Sequence, residues 1–223
     1  FEYDEADHDN GDKTILGQTG RWNGEDAVRI ICEQKATAEY LARHLYHFFV
    51  ADELPVPQWP HEPPGDPQAI ETLVKIYFDS GYDITSMLEA IFKSDFFKSE
   101  SVRYARIKSP AEIVVGTMRL AGPIRNLPSD DAAAASAACA NMGQALLRPP
   151  SVEGWQGGTE WINTGAYVER VNFASRILKD THKSGVRDII DRIKSKADVD
   201  SMTSDNLVDA CLDVLGPLEV TES

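Results

Sequence analysis

Apolar side chains recur along most of this chain at helical spacing. Ile70, Leu73, Val74, Tyr77 and Phe78 fall at i, i+3, i+4, i+7 and i+8, and Ile84, Met87, Leu88, Ile91 and Phe92 repeat that pattern. At about 100° per residue each set forms one stripe, which predicts two amphipathic helices. Asp66-Pro67 reads as an N-cap followed by Pro at the first helical position, Gly81 closes the first helix, and Asp83 caps the second, so the pair should form an antiparallel helical hairpin. Further helices are predicted over 26–34 and from a Thr37 cap through Leu41, Leu45, Phe48 and Phe49. The Ser109-Pro110-Ala111-Glu112 capping box opens another, to Gly122, and Ser129-Asp130-Asp131 starts an Ala-rich one that runs to Leu147. Asn163 or Thr164 begins the next, through Ile177, and two shorter helices follow over 186–194 and 205–215.

Two stretches break this rhythm. At the start, Phe1-Glu2-Tyr3 alternates and Thr14-Ile15-Leu16 can return as a strand, with Asn10-Gly11 between them. Asn-Gly favours a type I′ turn, whose two central residues need positive φ, so a small β-hairpin is predicted here, followed by a loop over 17–20. The second break is the segment from Pro55 to Pro67, where six prolines exclude regular structure and mark a stiff, extended linker or surface loop. The fold class is therefore mainly α: an irregular multi-helix bundle of about eight helices with one small N-terminal β-hairpin. One helical domain should span 1–180, and 181–223 reads as a small appended helical element set off by the polar residues 195–204.

Charge narrows the partners. With 22 basic and 36 acidic side chains the net charge is −14, which repels phosphate backbones and anionic membrane surfaces and excludes nucleic acid as a partner. No apolar run approaches the roughly 20 residues of a transmembrane helix. The chain begins at Phe1 without an initiator Met and reads as the C-terminal portion of a longer protein whose preceding part would carry any export signal. Cys32, Cys139 and Cys211 are far apart and odd in number, with no CxxC pair, which rules out a disulfide framework and a zinc ribbon.

Three stretches carry a family resemblance. They are His8-Asp9-Asn10-Gly11-Asp12-Lys13-Thr14-Ile15-Leu16-Gly17; Lys108-Ser109-Pro110-Ala111-Glu112 leading into Met118-Arg119; and Pro149-Pro150-Ser151-Val152-Glu153-Gly154-Trp155, then Trp161-Ile162-Asn163-Thr164 and Arg170-Val171-Asn172-Phe173-Ala174. In this order they resemble the C-terminal half of the bacterial family known as domain of unknown function 1800, over Phe1 to about Leu178. The resemblance implies a mostly helical protein, export to the periplasm or cell surface in many members, and a neighbouring family of sulfatase-like or phosphatase-like exported proteins. It implies no established activity and no catalytic residues to carry over.

Candidate chemistry sits in four places. Asp7, Asp9 and Asp12 crowd the N-terminal turn beside His8 and Lys13. Alternate oxygen ligands can hold Ca²⁺, but Gly11 stands where an EF-hand places a third ligand and Gln18 where it places its Glu, so a polar turn whose Asp side chains cap the backbone is the competing reading. Trp155 and Trp161 flank a Gly-rich loop with Glu153 and Glu160 nearby. Exposed indoles beside carboxylates suit sugar binding, and two carboxyls roughly 5–10 Å apart suit glycoside hydrolysis; alternatively both indoles plug the bundle. His44 and His47 lie at i, i+3 with no acid on their face to complete a metal site. Arg119 and Arg170 sit on otherwise apolar helices, where each should pair with a carboxylate across the bundle or bind an anionic ligand.

Three functional readings follow. The first is a helical binding or scaffold module of an exported protein, whose partner is a sulfatase-like or phosphatase-like exported protein or a surface glycan. The second is a hydrolase acting on glycans, with a site between the acidic hairpin (His8, Asp9) and the Trp loop (Glu153, Glu160). The third is a Ca²⁺-stabilised structural domain. No other cofactor is expected.

Overall fold

The computed structural model describes residues 3–155, 157–196 and 201–216. Among the described residues it is a helical protein with one two-stranded antiparallel sheet near the N-terminus and ten helices. The chain divides into two compact units, Phe1–Ile107 and Lys108–Ser223. Among the described residues, no helix is long and apolar enough to cross a membrane.

In the first unit, strand β1 (Lys13–Ile15) pairs with β2 (Gln18–Gly20), with Thr14 opposite Thr19. The hairpin exists, but its turn is Leu16-Gly17, at φ 46° and 84°, rather than Asn10-Gly11. Those two positive φ values are what a type I′ turn requires, and Gly17 supplies one at no steric cost. The expected loop over 17–20 is therefore the turn residue Gly17 followed by the second strand. Asp9 instead closes a bend by accepting the Gly11 N–H at 2.8 Å. Phe1 and Glu2, placed in a strand by the sequence, lie outside the described residues, and Tyr3 is in no strand.

Helix α1 (Gly24–Cys32) opens on a capping box in which Asn23 and Asp26 satisfy each other's backbone N–H groups. Helices α2 (Lys35–Phe49), α3 (Pro67–Asp79) and α4 (Ile84–Lys93) form the core, and the short α5 (Asp95–Lys98) follows. Asp66 and Asp83 cap α3 and α4 as their sequence positions require. Gly81 (φ 69°) and Tyr82 turn the chain between them, with the Tyr82 N–H reaching the Tyr77 carbonyl at 2.7 Å, the closing bond of a Schellman motif. Small residues on α2, Ala38 and Ala42, let α3 approach, and Leu73, Tyr77, Met87 and Ile91 fill the interior. The Tyr77 hydroxyl donates to the Cys32 carbonyl at 3.0 Å, and burial, with Cys32 beside it, pushes the phenol up to about 12.

In the second unit, α6 (Pro110–Ala121) starts at the Ser109–Glu112 capping box and packs against α7 (Ser129–Asn141), α8 (Thr164–Leu178) and α9 (Ser184–Lys196). Helix α10 (Ser204–Leu215) rests on α9. Val114, Cys139, Met142 and Phe173 form the core. All three cysteines are free thiols, and burial raises the Cys139 pKa. Helix α7 stops well before Leu147. Gly143 takes φ 100°, the Gln144 N–H bonds the Cys139 carbonyl at 2.8 Å, and the Gly143 N–H bonds the Ala140 carbonyl at 2.9 Å. This is a second Schellman stop, and it frees the Gln144 side chain to accept the Ala111 N–H at 2.8 Å, tying the end of α7 to the start of α6.

Candidate functional site

Helix α2 has two distinct faces. At about 100° per residue, Tyr40, Arg43, His44 and His47 fall within one stripe about 100° wide, and Ala38, Ala42 and Tyr46 lie on the opposite, buried side. The proline-rich segment folds over the polar stripe. It is not an extended linker: Val56–Gln58 form a 3₁₀ turn, and the following carbonyls converge on Arg43. The reason is electrostatic. Proline removes backbone donors and leaves carbonyls without local partners, and Arg43 offers five N–H groups on a rigid fork.

Every one of those five N–H groups is used. Nε and Nη2 reach Glu53 Oε2 at 3.1 and 2.7 Å, Nη1 serves the carbonyls of Trp59 and Glu62 at 3.3 and 3.1 Å, and Nη2 also meets the Pro63 carbonyl at 3.4 Å. The Arg43 and Glu53 side chains are only 6% and 1% exposed, so this is a buried ion pair. The other Glu53 oxygen accepts the Gly65 N–H at 2.8 Å, and the Glu53 N–H donates to His47 Nδ1 at 2.9 Å. A buried charge pair of this kind is tolerable because every guanidinium N–H and both carboxylate oxygens find a partner.

The lock presents an aromatic surface. The Trp59 Nε1–H donates to the Leu54 carbonyl at 2.6 Å, and the Arg43 guanidinium lies 4.6 Å from the Trp59 ring centre. Tyr40 and His44 tilt against the same indole at 5.7 and 4.7 Å. Together Tyr40, Trp59, Pro60 and Pro64 wall an open cleft of about 490 Å³, with the carboxylates of Glu39 and Glu62 at its rim. Tyr40 is 49% exposed. His44 Nε2 is buried without a hydrogen-bond partner among the described residues, and burial, followed by the nearby His47, holds its pKa below the ordinary value. The two histidines thus serve packing and loop anchoring. Tyr40, Arg43, Glu53 and Trp59 do not stand out in the sequence as a site; the one signal for them is an Arg inside the Tyr40–His44–His47 stripe just ahead of a Trp-bearing proline run.

The residues singled out by the sequence are placed differently. Asp9 accepts the Gly11 N–H and lies 3.9 Å from Lys13, and Asp12 lies 3.8 Å from Arg21. Backbone donation from Gly11, then Lys13, lowers the Asp9 pKa. Among the described residues, Asp7, Asp9 and Asp12 do not come together as a metal-ligand group. His8 bonds Asn10 at 3.3 Å and meets the Tyr3 ring. His8 and Asp9 belong to the first unit, Glu153 and Glu160 to the second, where both are exposed.

The two Trp-loop indoles behave differently from one another. Trp161 is 9% exposed and plugs the second unit, and Trp155 is half-buried. Arg170 corrects the expectation of a carboxylate partner: its Nη2 reaches the Trp161 carbonyl at 3.4 Å, its Nε is buried without a partner, and no carboxylate among the described residues pairs with it. Desolvation accordingly lowers its pKa. Arg119 is exposed rather than buried, because it lies about 140° around α6 from the buried Val114.

A family model described as protein of unknown function (DUF1800) matches residues 1–222, so the match runs on past Leu178, where the motif resemblance ended. No curated protein and no solved structure matches the chain.

Proposed function

We propose that this chain, which belongs to the protein family of unknown function DUF1800, is a helical binding module that takes a segment of neutral glycan in the cleft between Tyr40 and Trp59. The observation that supports this reading most strongly is the division of labour around α2. The groups able to do acid–base or ionic work, Arg43, Glu53 and His47, are consumed in holding the proline-rich segment, and what they leave on display is aromatic. Ring faces stack on the apolar faces of sugars, and the rim carboxylates of Glu62 and of Glu39, which also pairs with Lys35, accept hydrogen bonds from hydroxyls. A cleft fixed before its ligand arrives avoids the ordering cost of binding. Export, which the motif resemblance implies, would place the module beside surface polymers.

The test is calorimetric titration across a panel of neutral oligosaccharides, with circular dichroism confirming the fold of each variant. A saturable ligand is expected, and Trp59→Ala and Tyr40→Ala should each weaken it by about 1–2 kcal/mol, or roughly five- to thirtyfold in Kd. Trp155→Ala should leave the affinity unchanged. Failure of every oligosaccharide to bind, or equal affinity in the wild type and both cleft variants, overturns the proposal.

A further inference from the structure

A second cleft, of about 510 Å³, lies wholly within the second unit, where the end of α6, the 123–128 connection, the last turns of α8 and the start of α9 meet. Its floor is apolar, built from Met118, Phe173 and Ile177. Its rim runs against the charge of the chain. Arg125, Arg176 and Lys183 line it, against the single carboxylate of Asp131, in a protein of net charge −14. None of the three cations has a carboxylate within ion-pair distance among the described residues. Arg176 instead stacks over Phe173, 5.5 Å from the ring centre, at the boundary between rim and floor.

Two helices also start at the same place: α7 begins beside the cleft after Pro128, which offers no side-chain cap, and α9 begins beside it at Ser184. Helix starts favour anions, although Asp130 and Asp131 already occupy the first turn of α7. Arg119 contributes a fourth cation in an adjoining depression that shares Gly122 to Arg125.

We infer that this cleft binds an amphiphilic anion, with a carboxylate or phosphate head held by Arg125, Arg176 and Lys183 and a short apolar body on the Met118–Phe173–Ile177 floor. An unpaired cation cluster stabilises a head group by charge-assisted hydrogen bonds, and the apolar floor rewards a tail that inorganic ions lack.

The experiment is calorimetry of the full chain at low and high salt with four probes: hexyl phosphate, hexanoate, inorganic phosphate and hexyl glucoside. Hexyl phosphate and hexanoate should bind, more weakly as salt rises. Inorganic phosphate should bind at least about tenfold more weakly than hexyl phosphate, and hexyl glucoside should not compete with it. Arg125→Gln and Arg176→Gln should each raise Kd for hexyl phosphate roughly tenfold, and Arg21→Gln, in the first unit, should not. Binding of both anionic amphiphiles identifies the head group as any singly or doubly charged oxyanion; binding of hexyl phosphate alone narrows it to phosphate. Either result supports the inference. Equal affinity for inorganic and hexyl phosphate, displacement of hexyl phosphate by an equal concentration of hexyl glucoside, no binding of either amphiphile, or unchanged binding in the Arg125→Gln/Arg176→Gln double variant overturns it.

Discussion

Glu53→Gln is expected to lower the stability of the first unit by about 3–5 kcal/mol, the cost of leaving one member of a buried ion pair without its partner. Glutamine keeps the shape of the side chain but removes the charge that faces two of the Arg43 nitrogens, and its amide presents donors where the Gly65 N–H needs an acceptor. The loss is a large part of the 5–15 kcal/mol that holds a typical domain folded. Urea denaturation followed by circular dichroism measures it, with the two units fitted as separate transitions. Arg43→Met/Glu53→Leu should recover much of the stability, since apolar replacement of a whole buried pair is often neutral. It should nonetheless free the carbonyls of Trp59, Glu62 and Pro63, and with them the cleft wall. A Glu53→Gln loss below about 1 kcal/mol, the scale of a surface pair, would show that the pair does not hold the segment.

Gly185→Ala is expected to be comparably damaging in the second unit. A Cβ at Gly185 would lie 2.1 Å from the Leu120 oxygen and 2.7 Å from the Ala121 carbonyl carbon, both backbone atoms. Helix α6 cannot yield, because α7 and α8 pack on it, so α9 must move off. Val186 and Ile193, both buried, would then lose contact, at a cost of about 3 kcal/mol or more. Gly116 is the internal control. It lies inside α6 with nothing within 4 Å of its added Cβ, so Gly116→Ala should stabilise the same unit by about 0.5–1 kcal/mol. Thermal melts of the two variants should move in opposite directions. A Gly185→Ala melt at the wild-type temperature would mean that the close crossing of α9 and α6 does not exist.

These two positions mark what the sequence makes legible and what it hides. Helix starts are local, and the caps at Asp66, Asp83, Ser109 and Asn163 all stand where residue type alone puts them, whereas α2 starts at Lys35, ahead of the Thr37 expected to cap it. Turns compete, and local composition does not decide between them. Asn10-Gly11 is the stronger signal by composition, yet the chain turns at Leu16-Gly17, where Thr14 and Thr19 can pair across it. The Ala-rich run masks the stop at Gly143, because a helical stripe of small residues looks the same on either side of a glycine. The Tyr40–Trp59 cleft is less visible still. Arg43 is satisfied mainly by a Glu ten positions on and by three main-chain carbonyls, and carbonyls carry no sequence signature. The Trp loop is dense in Trp and Gly, yet its Trp161 is a plug; the more open aromatic pair, Tyr40 and Trp59, comes from two segments that only the fold brings together.

Hydrogen exchange across 53–65 tests most directly whether the proline-rich segment is a fixed wall rather than a tether. Six of its amides, those of Glu53, Gln58, Trp59, His61, Glu62 and Gly65, are hydrogen-bonded, and Gly65 depends on Glu53 alone. The Gly65 amide should exchange as slowly as amides in the middle of α2 in the wild type, and should become fast in Glu53→Gln. Exchange of the wild-type Gly65 amide at the rate of an unfolded peptide would contradict the lock and the preformed cleft built on it.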